Sequence, residues 1–155
     1  MSSGIMAQSG SIQCGTFTLG TQVFGVDILR MREIIRPIDI TRVPRAESFM
    51  EGVINLRGLV IPVISLRARF GMPTRPFDKE TRIINIELAD IVAGFIVDSI
   101  GHVHRLPANS VEPPPAVTAS VEARYIAGIC NTGERLLVIL NVDELVSAET
   151  LKGFA

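Results

Sequence analysis

The chain has no tryptophan, one tyrosine, two cysteines and only two lysines among its fifteen basic residues. Each shortage removes a class of function. Cys14 and Cys130 stand far apart with no CxxC pairing, which fits reduced thiols and not a disulfide framework. Without exposed aromatics to stack on bases, the thirteen arginines alone make a poor single-strand nucleic-acid site. No apolar run reaches the roughly 18 to 20 residues of a membrane helix, and Pro62 interrupts the most apolar stretch, so no span is expected despite a mean hydropathy of +0.37. There is no HExxH, GxSxG or GxxxxGK[ST] pattern. His102 and His104, two apart on an expected strand, share a face but lack a third ligand, so neither metal nor cofactor is expected. Residues 1–13, rich in Ser, Gly and Gln, lack the charged flank and apolar core of a secretory signal and read as a flexible tail, with the cytoplasm as the compartment.

What is present is repetition. Moved forward by 76 positions, residues 49–66 fall without a gap on 125–142: Phe49 meets Tyr125, Gly52 meets Gly128, Asn55 meets Asn131. At a shift of 69, Gly25–Ile28 and Met31–Ile34 fall on Gly94–Val97 and Ile100–Val103. The apolar rhythm and turn residues recur more than the letters do. Two copies of this size read as paired small domains and not as a solenoid. At 155 residues and 47% hydrophobic content, the chain can bury about 70% of its unfolded surface, enough for two modest cores that lean on each other. Charge divides with the copies. Residues 1–85 carry eleven basic against seven acidic groups, whereas residues 86–155 carry four against nine. Arginine dominates the basic set, and its flat fork suits interfaces and carboxylate pairs.

The prevailing period is two. Arg82–Leu88 and Ile91–Val97 form a hairpin across Ala89-Asp90; Tyr125–Cys130 and Arg135–Asn141 form another, whose Gly133 is free to take a positive φ. By the repeat, Val53–Asn55 and Leu59–Ile64 pair across Leu56-Arg57-Gly58. Further strands are expected at Gly15–Leu19, Gln22–Ile28 and Ile100–Leu106, with helix only at Ala46–Met50 and Val142–Leu151. The expected fold is mainly β: two barrels of about five strands related by duplication, in subdomains 14–80 and 81–155. Strand exchange between the halves stays open on pattern alone.

The segment Gly52-Val-Ile-Asn-Leu-Arg-Gly-Leu-Val-Ile-Pro-Val-Ile-Ser-Leu-Arg67 resembles the central motif of the CheW family of bacterial chemotaxis coupling proteins. Supporting pieces are Phe24–Ile28, Arg32–Ile34, Gly94–Asp98, Pro113–Pro115 and Tyr125–Leu140, so the resemblance covers residues 14 to about 150. Ser65 departs from the family's usual Asp, which caps the turn after the strand, and Ser can cap almost as well. The resemblance implies two intertwined SH3-like barrels without enzymatic activity. It also implies a cytoplasmic scaffold at receptor arrays beneath the inner membrane, linking the hairpin tips of methyl-accepting chemoreceptors to the regulatory domain of the CheA histidine kinase. The alternative is the coupler of a parallel chemosensory pathway, controlling surface motility or another output. A metal-dependent hydrolase and a single-strand binder are the competing classes. We expect Met31, Glu33, Asn55, Arg57, Gly58 and Ile100 to form the partner site, with Arg57 paired to Glu33 or to a receptor carboxylate. Gly58 serves as a backbone position. For the kinase, apolar loops at the outer end of one barrel are expected, with no residue singled out.

Overall fold

Three residues, Ile28–Arg30, separate the second strand of the chain from the third, and one, Asp98, separates the seventh from the eighth. Those short joints decide the architecture. In the computed structural model, which describes residues 10–115, 117–118 and 121–151, the strands are β1 (Ser11–Leu19), β2 (Gln22–Asp27), β3 (Met31–Ile35), β4 (Met50–Leu56), β5 (Leu59–Ser65), β6 (Arg82–Glu87), β7 (Val92–Val97), β8 (Ser99–Pro107), β9 (Val117–Thr118), β10 (Val121–Glu122), β11 (Ile126–Asn131) and β12 (Leu136–Leu140). Among the described residues helix is confined to α1 (Leu66–Arg69), α2 (Ala148–Leu151) and four single 3-10 turns.

Apart from β9 and β10, which pair as a separate two-stranded sheet, one five-stranded sheet runs β11-β12-β2-β1-β8 and the other β4-β5-β7-β6-β3. Copy for copy these are the same sheet. In each, one pair is parallel (β12 with β2, β5 with β7) and the rest are antiparallel. The bulge at Met50/Gly52 recurs at Ile126/Gly128, at the spacing of the sequence repeat. Yet each sheet takes its first hairpin from one copy and its other three strands from the other. The joints require this exchange. Had β3 stayed with its own hairpin, it would lie antiparallel to β1 and so parallel to β2. A chain that returns to the same sheet parallel to the strand it has just left needs a crossover of about a dozen residues or more, and three, or one, cannot supply it. A cut near residue 80 therefore separates the copies along the chain but passes through the β3–β7 sheet in space.

Both sheets curl. Beyond β3 the chain reaches the opposite edge of its own sheet, where Thr41 and Val53 exchange two N–H···O bonds of 2.8 Å. Glu112 and Ile129 do the same in the other sheet, also at 2.8 Å. Alternation along the strands then serves two interiors at once. Leu137 and Ile139 join Ile12, Cys14, Leu106, Val111 and Cys130 inside one sheet; Ile83 and Ile96 join Ile54, Ile61 and Val63 inside the other. The intervening positions, among them Phe17, Phe24, Ile64, Ile84, Phe95, Val97, Val138 and Leu140, form the large core shared by both.

Charge complementarity fastens the seam. Arg67 donates to both oxygens of Asp98 (Nη2–Oδ2 2.6 Å, Nε–Oδ1 2.9 Å), and the Gly20 N–H donates to the same carboxylate at 2.7 Å. Burial raises the Asp98 carboxyl, but these bonds and the Arg67 and Arg75 charges outweigh it and hold the group below its ordinary value. Arg30 reaches Asp143 at 2.6 Å and Arg32 reaches Glu87 at 3.4 Å, so basic groups of the first half meet acids of the second. Arg69 lies between the repeat-equivalent rings of Phe49 and Tyr125, at 4.4 and 5.1 Å, and donates to the Leu145 carbonyl at 2.6 Å.

Three local expectations change. Ser11–Gln13 are not tail: they pair with Arg105–Pro107 in β1, because Ile12, 5% exposed, completes an interior; residues 1–9 lie outside the described residues. Ala46–Met50 is not a helix: turns at Pro44-Arg45 and Ser48-Phe49 lead into Met50, the first residue of β4, since Arg45 sits at φ 64 and the window is too short to offset nucleation. The expected C-terminal helix splits into a 3-10 turn, Val142–Glu144, and α2. An unforeseen helix, α1, begins at Ser65, whose hydroxyl accepts from the Ala68 N–H at 3.2 Å, so Ser does perform the capping role.

Candidate partner-binding site

The β4–β5 hairpin turns on two residues, with Leu56 paired to Leu59 and Asn55 to Val60. Arg57 has φ 53 and Gly58 φ 86, the double left-handed pattern of a type I′ turn. The Asn55 Oδ1 accepts from the Gly58 N–H at 2.9 Å and fixes the turn. Gly58 suits this backbone; Arg57 does not, since a side-chain-bearing residue there costs on the order of 1 kcal/mol.

The Arg57 guanidinium donates through Nη2 to Glu33 Oε1. Glu33 lies on β3, and in ladder order β3 and β4 are opposite edges of a five-stranded sheet. Laid flat, they would stand about 19 Å apart. The ion pair therefore spans the mouth of the curled sheet. With side chains 70% and 36% exposed, it contributes about 0 to 1 kcal/mol. Beneath it opens a recess lined by Glu33, Leu56, Arg57, Ile61, Asn85 and Val92, with Arg32 and Leu59 at the rim.

Thus Glu33, Asn55, Arg57 and Gly58 come together. Met31 is two residues before Glu33 on β3, across a register shift, and half-buried. Its sulfur lies over Gly15, where a Cβ would approach to 2.3 Å, so it packs across to the other sheet. Ile100 sits in β8 opposite Phe17 and also packs on the shared core. Sequence reasoning missed Asn85. It is 1% exposed, and neither side-chain Oδ1 nor Nδ2 has a hydrogen-bond partner among the described residues. The signal was a lone amide inside the alternation Arg82-Ile-Ile-Asn-Ile86. It also missed the exposed apolar pair Leu59 and Val60, 55% and 50% exposed, which rim a second recess with Ile91 and Val92.

The other sheet has the same recess with different chemistry. Thr16 stands where Asn85 does, His102 where Glu33 does, and Gly133, at φ 97, where Arg57 does. There the Thr16 hydroxyl donates to the His102 carbonyl at 2.6 Å, and the second turn presents no arginine at its first position. Among the described residues no group of three or more His, Cys, Asp or Glu is placed to hold a metal ion. Burial, with lesser help from Asp27 and Cys130, pushes the Cys14 thiol up to about 12, which makes it a packing group and a poor nucleophile. No helix among the described residues is long and apolar enough to cross a membrane.

A family described as "CheW-like domain" matches residues 13–150. "Chemotaxis protein CheW" of Klebsiella aerogenes is 33% identical over 135 residues, covering 87% of this chain and 81% of its own. The protein of the same name from Helicobacter pylori is 35% identical, covering 86% and 80%, and "Protein PilI" of Pseudomonas aeruginosa is 25% identical, covering 89% and 79%. Among solved structures, the scaffolding protein TtCheW from Thermoanaerobacter tengcongensis has a TM-score of 0.83 at 36% identity, covering 90% of this chain and 94% of that one.

Proposed function

The chain belongs to the CheW-like domain family, a non-enzymatic chemotaxis adaptor class, and on that premise we propose that it couples methyl-accepting chemoreceptors to the regulatory domain of a CheA-type histidine kinase. The coupler works in the cytoplasm, at receptor arrays. Its receptor contact is the mouth of the β3–β7 sheet: Arg57 and Glu33 at the rim, Asn55 and Gly58 holding the turn, Met31 and Ile100 shaping the flanking surface.

The observation that carries this reading is Arg57 itself. Two turns occupy equivalent places, and the one with the costlier backbone bears the exposed, charge-paired side chain. Strain of that kind persists where a side chain is needed for something other than folding. A helical hairpin laid along such a mouth meets apolar surface flanked by a guanidinium and a carboxylate, the usual terms of helix-in-groove recognition. No bond is made or broken; the output depends on how much more tightly one assembly state is held than another.

A parallel chemosensory pathway is the second reading, favoured by the likeness to Protein PilI. It shares the mechanism and differs in output. Receptor, kinase and this chain, reconstituted on lipid, test the coupling: the chain should raise kinase activity in a receptor-dependent way, and Arg57→Ala should reduce that stimulation at least about ten-fold. No stimulation by the wild type, or equal stimulation by the variant, overturns the reading. A deletion strain scored for swimming and for surface movement separates the two outputs.

A further inference from the structure

Asn85 is a carboxamide buried at the floor of the Arg57 recess with its acceptor and its donor both unmatched. Buried polar groups are rarely left so, because an unsatisfied one costs as much as the hydrogen bond it lacks. The surroundings hold it there. Asn85 pairs with Glu33 on one side and Gly94 on the other, and a Cβ on Gly94 would come within 2.9 Å of the Asn85 oxygen. The glycine leaves the amide its room. In the equivalent recess Thr16 has no such deficit, because its hydroxyl is spent on the His102 carbonyl.

We propose that Asn85 receives a side-chain carboxamide, an Asn or Gln presented by the helical partner that docks at Arg57, and so helps to choose that partner. The inference rests on the coupling reading above. The chemistry selects the ligand group. A carboxylate would satisfy Nδ2 alone and would lie beside Glu33; an ammonium or guanidinium would satisfy Oδ1 alone and would lie beside Arg57. A hydroxyl carries a single donor and serves one of the two atoms well. A carboxamide matches donor to acceptor and acceptor to donor in two parallel hydrogen bonds, carries no charge, and leaves the rim pair intact. The recess, about 210 Å³, has the volume for such an end group, and because both amide atoms are covered in the free protein, docking turns the Asn85 side chain or parts the rim to reach them. Rejection follows from the same geometry, since a partner lacking the amide leaves both Asn85 atoms unpaired in a site closed to water.

The test is a binding titration of a chemoreceptor cytoplasmic hairpin against the full chain and its Asn85→Val and Asn85→Thr variants. Each Asn and Gln of the hairpin is replaced in turn by Leu. Val removes the polar atoms, and Thr copies the other sheet, so it keeps a folded protein even if Val does not. Both variants should bind about ten-fold more weakly with no loss of melting temperature, and Asn85→Val, which removes the unmatched polar atoms, should raise it. One hairpin substitution should cost the same against the wild type and nothing further against either variant. If the wild type fails to bind the hairpin, the coupling reading falls first. If the wild type binds and the variants bind as tightly, the partner does not engage the buried amide and the inference is wrong. It is equally wrong if no hairpin carboxamide shows the non-additive loss.

Discussion

Two hairpin turns sit at the same place in two sheets of the same strand order, one built on Arg57-Gly58 and the other on Gly133-Glu134. The second shows that this architecture accepts glycine at the position where the first carries arginine. Holding Arg57 in left-handed backbone costs about 1 to 2 kcal/mol, and its exposed pair with Glu33 returns about 0 to 1. Folding therefore gains nothing from the arginine. What duplication conserved is the scaffold: order, parallel pair, bulge and bridge. The difference between copies falls at the two mouths, where Glu33, Arg57 and Asn85 face His102, Gly133 and Thr16.

That comparison can be broken at several depths. The deepest break is at the seam the copies share. Asp98→Ala leaves the half-buried Arg67 without its carboxylate, and a loss of about 3 kcal/mol is expected in denaturant unfolding. Because the folded Asp98 carboxyl lies below its ordinary 3.8, its contribution is present above that value and is given up as pH falls through the lower folded one. Wild-type stability should decline below about pH 4, and the gap to Asp98→Ala should narrow there.

Next comes the curl of one sheet alone. Gly52, at φ 148, lies where a Cβ would meet the Thr41 carbonyl oxygen at 2.1 Å. Gly52→Ala should cost about 2 to 3 kcal/mol, with hydrogen exchange rising at Thr41 and Val53 and not at Glu112 and Ile129. Smaller again are the turn glycines. Gly58→Ala and Gly133→Ala, both in left-handed backbone with nothing within 4 Å of the new Cβ, should each cost about 1 kcal/mol. Only the former should weaken partner binding. Least of all should Arg57→Gly affect folding, its stability staying within about 1 kcal/mol of wild type.

Much of this was legible in the letters. The period-two runs placed the strands, Asn55-Leu56-Arg57-Gly58 announced its hairpin, and Glu33 was named as a partner for Arg57. The exchange of hairpins was harder to see, because both copies share one apolar rhythm and the pattern is the same whether a copy pairs with itself or its twin. The joints Ile28–Arg30 and Asp98 held the answer in their length. Asn85 was hidden for another reason: a polar residue in an alternating strand acquires meaning only when the atoms facing it are known. Ser11–Gln13 were lost to the tail because their composition resembles it, and only Ile12 marks them as strand.

The most direct measurement is equilibrium binding of a chemoreceptor hairpin to the wild type, Arg57→Gly and Glu134→Ala, which sets the two turns against each other. The account predicts a loss of at least about ten-fold for Arg57→Gly and a change within about two-fold for Glu134→Ala. Equal losses at both turns, or undiminished binding by Arg57→Gly, would contradict it.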